Sequence, residues 1–465
     1  MELLAMIAEL RDRLRGVRSF PRGIHPPHRK TLSQTSPNEQ YIPRRDMVLP
    51  LVQHIGAPCG AVVKPRQEVS YGEKVADTDS VVAAPIHASV SGKTGPATIT
   101  LLPGGRRVPA LTLKPAENGD VLPPDFLHQF LDRNWGSVEP TSYDPDRICQ
   151  AIREGGVVGL GGATFPTHVK LKRNPERPVD TVILNGCECE PYLTADHRLM
   201  LEAPEAIVVG LQLAVRAAGA SRAVIAIESN KPDAIEAMSR AARDRPGLEV
   251  AVCATKYPMG GERQLVPAVL NRVVPSAPEG LPLDVGVVMI NVATAHSIAR
   301  AVVRNQPLTH RVVTVTGRGV SRPGNWLVPV GTMFSELIEA CGGVTAEALK
   351  VVVGGPMMGP TVPHLNVPVV KSTGGITVMI EEETARWPET PCIRCARCID
   401  NCPLHLSPTK IAHAIKFRDY DMASQYDMLA CCECGCCAYV CPAHIPLAQY
   451  IRAGKNQWRL MTSGK

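Results

Sequence analysis

Residues 391–403 read PCIRCARCIDNCP, and residues 431–442 read CCECGCCAYVCP. Each holds four cysteines spaced CxxCxxCxxxC and closed by proline: Cys392, Cys395, Cys398 and Cys402 before Pro403, then Cys431, Cys434, Cys437 and Cys441 before Pro442. The second run has two further thiols, Cys432 and Cys436, but a frame started at Cys432 would need its partner at Gly435, which offers no thiolate. Only one frame survives. A cubane takes four thiolates at its corners, three from one tight loop and, in two-cluster proteins, the fourth from the other run. The spacing therefore assigns Cys392, Cys395, Cys398 and Cys441 to one [4Fe-4S] cluster, and Cys431, Cys434, Cys437 and Cys402 to a second. Zinc is the competing reading, because four thiolates also make a structural zinc site. Such sites use two separated CxxC pairs rather than two identical four-membered runs closed by proline. The spacer SPTKIAHAIKFRDYDMASQYDMLA is helical in composition and longer than a small β-type ferredoxin requires, which points to an α-helical ferredoxin domain. Cys432 and Cys436 read as packing or loop residues.

Outward from the thiols, the chain has 465 residues, enough for roughly three to five domains. Sixteen cysteines in a long chain, ten of them between Cys392 and Cys441, point to metal rather than to a disulfide framework. The formal charge of +6 comes without aromatic-rich basic stretches, so nucleic acid is not expected as a partner. No apolar run approaches the roughly 18 to 20 residues that cross a bilayer. The opening segment MELLAMIAELRDRLRG carries Glu2, Glu9 and Asp12, unlike a secretory signal, and a cytoplasmic location is expected. Its apolar residues recur at helical spacing beside Arg11, Arg13 and Arg15, which suits a packed helix, an anionic membrane surface or a partner.

Residues 1–46 read as that helix followed by an irregular, basic, proline-rich extension, a candidate docking segment up to Arg45 or else a solvated charged tail. From Met47 to about Leu113 short β-type runs alternate with Gly and Pro, the texture of a small barrel or sandwich. From about Tyr143 to Arg304 the pattern turns to α/β. Strands are expected at 181–185, 223–228, 249–253 and 285–291, with helical PEAIVVGLQLAVRAAGA and DAIEAMSRAARDR between them, giving a mostly parallel sheet. A nucleotide-type ligand fits there. Residues 310–370 read as a small α+β module with a helix over 334–340.

The segment GGVVGLGGATFPTHVK, residues 155–170, is the second chemical signal. Gly159 and Gly161 give GxG, but Thr164 stands at the last glycine position and a helix precedes the loop, so a Rossmann first turn is disfavoured. What remains is a loop whose glycines let backbone approach a flat ligand or phosphate, with Lys170 for an anionic group, or else a structural loop. Gly92, Lys93 and Thr94 imitate the end of a phosphate-binding loop, but His87 occupies the earlier glycine position. Cys187 and Cys189 form a CxC pair read as structural. The thirteen histidines show no metal spacing.

Taken in order, GIHPPHRK, PLVQHIGAPC, GLGGATFPTHVKLK, LNGCECEPYLTADHRLM, KYPMGGERQL, a strand followed by NVATA, and the paired cysteine runs closely resemble the RnfC family of the Rnf complex over nearly the whole chain. The resemblance implies the NADH-oxidising peripheral subunit of a membrane-bound, ion-translocating NADH:ferredoxin oxidoreductase, on the cytoplasmic face of the membrane, partnered by the other Rnf subunits and through them by ferredoxin. It implies a multidomain α/β and α+β architecture: N-terminal helix and basic extension 1–46, barrel-sandwich-hybrid-like β domain 47–118, Rossmann-like FMN/NADH-binding α/β domain 135–305, SLBB β-grasp domain 306–370, and dicluster ferredoxin domain 385–455. The flavin domain is similar to the FMN-binding subunit of respiratory complex I. Through that similarity Gly159, Gly161, Gly162, Ala163 and Lys170 would line non-covalent FMN, with Phe165 available to stack on NADH. Asn185, Glu188 and Glu190 fall on the pattern NADExEP, Gly261 and Glu262 on GEE, and Asn291 and Thr294 on NNVET. Leu160, Cys187 and Arg263 stand where complex I has arginine, aspartate and glutamate. These are positioning residues, since hydride transfer needs no side-chain base, and no catalytic acid or base is expected. A cobalamin reductase of bacterial microcompartments has similar parts, but the HPP and QHIGAP motifs favour Rnf. A non-catalytic electron-transfer subunit is opposed by the intact glycine loop.

Overall fold

The structure, a computed structural model, describes residues 16–117, 121–132, 134–135, 138–278, 280–384 and 387–463. The helix expected at the start of the chain lies outside the described residues. Among the described residues the main strands form four sheets.

Short β runs punctuated by Gly and Pro make two small sheets. One is antiparallel, in the order Met47–Pro50, Arg107–Pro115, Gly92–Leu101, Glu68–Val69; the other pairs Lys74–Asp77 with Gly60–Ala61 and Ile86–His87. Their inward residues, among them Met47, Leu49, Val75, Ile86, Val90, Leu111 and Leu113, share one core.

Four apolar runs then form an all-parallel sheet in the order Leu248–Cys253, Arg222–Glu228, Thr181–Gly186, Val287–Asn291. Its central strands are buried nearly end to end, as parallel strands covered on both faces must be. The flanking helices start and stop where local chemistry dictates. Asp144 accepts from the amides of Asp146 and Arg147 to cap Pro145–Glu154, and Gly219, at φ 74°, ends Pro204–Ala218 in the left-handed conformation. Asn291 ends its strand and caps Val292–Arg304 through the Ala293 amide.

The next sheet has five strands, in the order Asn38–Gln40, Gly324–Pro329, His310–Thr316, Gly375–Ile380, Ala348–Val353, packed on the helix Phe334–Ala340. Two of its strands, 38–40 and 375–380, come from outside residues 306–370. The N-terminal extension is thus no loose tail after residue 17. Arg18 exchanges backbone hydrogen bonds with Val252 and Ala254, Ile24 pairs with Tyr257, and 38–40 runs parallel to 325–327. Residues 18–40 strap the α/β sheet to the five-stranded sheet because their backbone hydrogen-bonds to both. Short helices, chiefly Pro408–Lys416, Tyr420–Gln425 and Leu447–Ser463, build the cysteine-rich end around Ile411, Ile415, Met428 and Ile451.

A close helix crossing sits behind the parallel sheet: a Cβ at Gly210 would lie 1.8 Å from the Ala295 carbonyl oxygen. An exposed helical glycine gains stability when changed to alanine, so the sign is diagnostic here. Gly210→Ala should destabilise by about 1–3 kcal/mol as the two helices are forced apart, read as a lower denaturation midpoint; a raised midpoint would contradict this packing.

Candidate functional site

The helix Pro145–Glu154 stops at Gly155, and Gly156 turns the chain at φ 64°. Val158 then bridges to Pro166, Gly159 N–H donates to Phe165 O at 2.9 Å, and Thr167 N–H to Val157 O at 3.2 Å. Residues 157–167 are therefore a tight reversal with its tip at 160–164. Leu160 is the buried residue of the tip, its amide donating to Thr294 Oγ1 at 2.9 Å. Gly161, Gly162 and Ala163 are exposed. A Cβ at Gly161 would lie 2.9 Å from the Asn291 side chain, whereas one at Gly162 would meet open space. The tip is thus backed by Asn291 and Thr294 and open on its other side, the form needed by a loop that must admit a flat group or a phosphate.

It hangs over the C-terminal edge of the parallel sheet, where open α/β sheets place their ligands. Asn185 Nδ2 donates to Gly260 O at 2.9 Å, fixing the segment that carries Gly261 and Glu262. Lys170 Nζ lies 3.2 Å from Glu262 Oε1, both partly exposed. Asn291 Nδ2 donates to Asp196 Oδ2 at 2.7 Å. Among the sequence-derived residues, Gly159, Gly161, Gly162, Ala163, Phe165, Lys170, Asn185, Gly261, Glu262, Asn291 and Thr294 are brought to this edge.

The two glutamates of CECEP are engaged differently. Glu188 accepts from the amides of Asp196 and, at 3.4 Å, His197, heading the helix Ala195–Glu202. Its carboxylate also lies 3.9 Å from buried Lys30, which donates to the carbonyls of Glu190 and Leu193. Glu190 turns to the five-stranded domain, accepting from Met357 N–H at 3.1 Å and Met358 N–H at 2.9 Å. Burial pushes its carboxyl up to about 7 against the pull of those amides. Burial and the neighbouring Glu188 likewise raise Asp196.

Sequence reasoning missed three residues of the edge. Asp196 had a local signal, an acid in the first turn of a helix behind the CECEP motif. Tyr257 stood within KYPMGGERQL with no role assigned and Arg311 had no signal, because the partners of both are distant in the chain. Arg311 NH2 donates to Leu160 O at 3.2 Å, and Tyr257 OH donates to Cys434 O at 2.9 Å.

That last bond leads to the thiols. Cys402, Cys431, Cys434 and Cys437 line one cavity with Leu404, Ile411 and Ile451. Cys398 and Cys437 lie in a second apolar cluster with Ile445 and Leu447, against which Cys441 packs. Cys392 and Cys395 are exposed. Backbone amides point at sulfur, Glu433 N–H at Cys431 Sγ (3.3 Å) and Arg394 N–H at Cys392 Sγ (3.4 Å), the kind of contact that tunes cluster potentials. Burial holds Cys431 and Cys437 up at about 12, so the protein alone keeps thiols there and a metal's charge must displace the protons. Among the described residues no three His, Cys, Asp or Glu side chains gather closely enough to share a single ion; a cubane asks instead for four thiolates standing apart around its corners. Cys436 is fully buried beside Ile24 and Tyr257. The first cavity abuts the α/β domain, since Gln264 Nε2 also reaches Pro403 O at 3.4 Å, and the five-stranded domain, since a Cβ at Gly435 would lie 2.8 Å from Met357 O.

Four families match consecutive stretches: the RnfC barrel sandwich hybrid domain over residues 18–117, the Nuo51 FMN-binding domain over 152–300, the SLBB domain over 312–361 and a 4Fe-4S dicluster domain over 391–446. The chain is 41% identical over 394 residues to the C subunit of the Na(+)-translocating ferredoxin:NAD(+) oxidoreductase complex of Acetobacterium woodii, covering 85% of this chain and 86% of that one. It is 40% identical over 450 residues to the C subunit of the proton-translocating ferredoxin:NAD(+) oxidoreductase complex of Clostridium ljungdahlii, covering 95% and 94%. With the C subunit of the ion-translocating oxidoreductase complex of Rhodobacter capsulatus it shares 39% over 438 residues, covering 94% and 82%. Among the described residues no helix is long and apolar enough to cross a membrane.

Glu190 makes a pH prediction. Its folded value of about 7 exceeds the ordinary 4.5, so the fold binds this proton more tightly than the unfolded chain. The stability it contributes is full below about pH 4.5 and is lost as pH rises through about 7, at up to about 1.4 kcal/mol per pH unit. Glu190→Gln should flatten that part of the fall in melting temperature; an unchanged slope would place the titration elsewhere.

Proposed function

Because the chain belongs to the RnfC family of ion-translocating oxidoreductase subunits, we propose that it exchanges a hydride between NAD(H) and FMN and passes the electrons singly through two [4Fe-4S] clusters. The observation that carries this reading is that the α/β domain, which carries a glycine loop at the edge of its parallel sheet, is joined to a four-cysteine cavity by the Tyr257–Cys434 hydrogen bond.

The residues fit the flavin. Exposed Gly161, Gly162 and Ala163 admit a flat group against backbone, and Lys170 brings a cation to the same edge. Bound FMN would supply the centre that takes two electrons together and releases them one at a time. The chain's part is to place and shield. Asn291 and Thr294 set the depth of the loop, Asn185 fixes the segment of Gly261 and Glu262, and Phe165, half-buried at the loop's base, is assigned to the nicotinamide side. Glu188 and Glu190 hold the floor of the site through the helix cap and the Met357–Met358 amides.

For the clusters, Cys431, Cys434, Cys437 and Cys402 would hold the one nearer the flavin, because their cavity meets Tyr257 and Gln264. Cys392, Cys395, Cys398 and Cys441 would hold the outer one, two of whose ligands are at the surface. The protein would sit peripherally on the cytoplasmic face of the membrane, docked to the other subunits of its complex, which pass electrons on toward ferredoxin.

Anaerobically reconstituted protein should contain about eight iron atoms per chain; about four, or stoichiometric zinc, would overturn the two-cluster assignment. Cys402→Ser should disturb the cluster of the second run, while Cys432→Ser leaves iron content unaltered. Gly161→Val should expel flavin and abolish bleaching of the clusters by NADH while iron stays at the parent level. Full flavin in that variant would remove FMN from this loop.

A further inference from the structure

The glycine loop owes its shape to residues that lie outside its own domain. Four of its carbonyls are held from behind by other segments: Gly155 O accepts from Leu308 N–H at 2.8 Å, Gly156 O from Lys371 Nζ at 2.7 Å, Leu160 O from Arg311 NH2 at 3.2 Å, and Thr164 O from Ile55 N–H at 3.3 Å. Two of these donors are backbone. The other two are basic side chains from the five-stranded domain, Lys371 at 0% exposure and Arg311 at 4%.

Both direct their donors at backbone carbonyls. Lys371 Nζ also donates to Pro85 O at 2.7 Å, and Arg311 Nε to Thr373 O at 3.4 Å. Lys371 is anchored in turn by its own amide, which donates to Gln53 Oε1 at 3.1 Å. Each of these side chains supplies donors to carbonyls that would otherwise be buried without one, and so fixes where those carbonyls sit. A loop rich in glycine has many conformations to lose, and one that must be ordered on each binding event binds weakly. Tying carbonyls 156 and 160 backward orders the turn in advance and leaves residues 161–163 exposed, with Gly162 facing open space.

We propose that Lys371 and Arg311 are positioning residues of the flavin site, so that the five-stranded domain serves as the back wall that preorganises the glycine loop. The proposal rests on the assignment of FMN to this loop. It gives the SLBB-type domain a role that requires no ligand of its own. It also accounts for the barrel-sandwich residues Gln53 and Pro85, which steady Lys371, and Ile55, which holds the far end of the loop.

The test measures FMN dissociation constants by fluorescence on cluster-reconstituted protein, alongside iron content and the melting temperature of the flavin-free form. Lys371→Met and Arg311→Met should each weaken FMN binding about tenfold or more, equivalent to about 1.4 kcal/mol, with iron unchanged and the flavin-free protein still unfolding cooperatively, at a melting temperature lowered by the carbonyls left without donors. Arg311→Lys, which keeps a charged donor, should recover most of the affinity, and its bound flavin should regain the parent's visible circular dichroism. Dissociation constants within about twofold of the parent in both methionine variants would overturn the proposal. Should Lys371→Met fail to fold, the Arg311 pair decides alone: equal affinities of its lysine and methionine forms would overturn it. Gly161→Val separates the premises. If it retains flavin, the loop assignment fails; if it loses flavin while the methionine variants bind normally, only the back wall fails.

Discussion

The hydroxyl of Tyr257, a residue left only 1% exposed, donates to the carbonyl of Cys434 at 2.9 Å, and through this bond the two chemistries of the molecule are held at one distance. Electron transfer weakens steeply with separation, so a flavin site and a cluster site on one chain are useful only if the joint between them is rigid. The surroundings of Tyr257 are anchored accordingly. Ile24 pairs with its backbone, Cys436 and Val440 pack with it, and Glu190 locks the adjoining segment by accepting from Met357 and Met358. The carboxylate that resemblance assigned to the flavin thus also fastens the joint.

The strap of residues 18–40 belongs to the same constraint. Its sequence, basic and rich in proline, reads as a tail because proline and charge lower its propensity for regular structure. The fold uses those features otherwise. The irregular backbone reaches from the Val252 edge to the Asn325 strand through a single turn of helix at Lys30–Leu32, and Lys30 is sunk among the carbonyls of Glu190 and Leu193 beside Glu188. Burying one cation next to an acidic loop is a tertiary event, invisible to any local pattern.

Legibility divides along the same line. The parallel strands could be read because TVILN and RAVIAIE are apolar throughout and alternate with helical runs. The thiols could be read because cluster spacing is local by necessity. Asn291 was legible by resemblance, and its hydrogen bonds to Ala293 and Asp196 show that a residue ending a strand can both cap the next helix and back the glycine loop. Arg311 and Lys371 were not legible: Arg311 sits inside an apolar β run, Lys371 beside a Val-rich one, and each acts on a carbonyl more than 150 residues away. The irregular extension hid an edge strand for the same reason, since Asn38–Gln40 is a strand only by virtue of its neighbour.

That neighbour is late in coming. During synthesis the strap leaves the ribosome long before its partner strand, since Asn325 donates to Ser33 O across 292 residues of chain. Domains that form as they emerge must therefore assemble with residues 33–40 of that segment still unpaired, their backbone exposed until the five-stranded sheet is complete. Closing the strap is the act that joins the finished parts, and a ribosome that stalls before residue 325 leaves the earlier parts made and the assembly open.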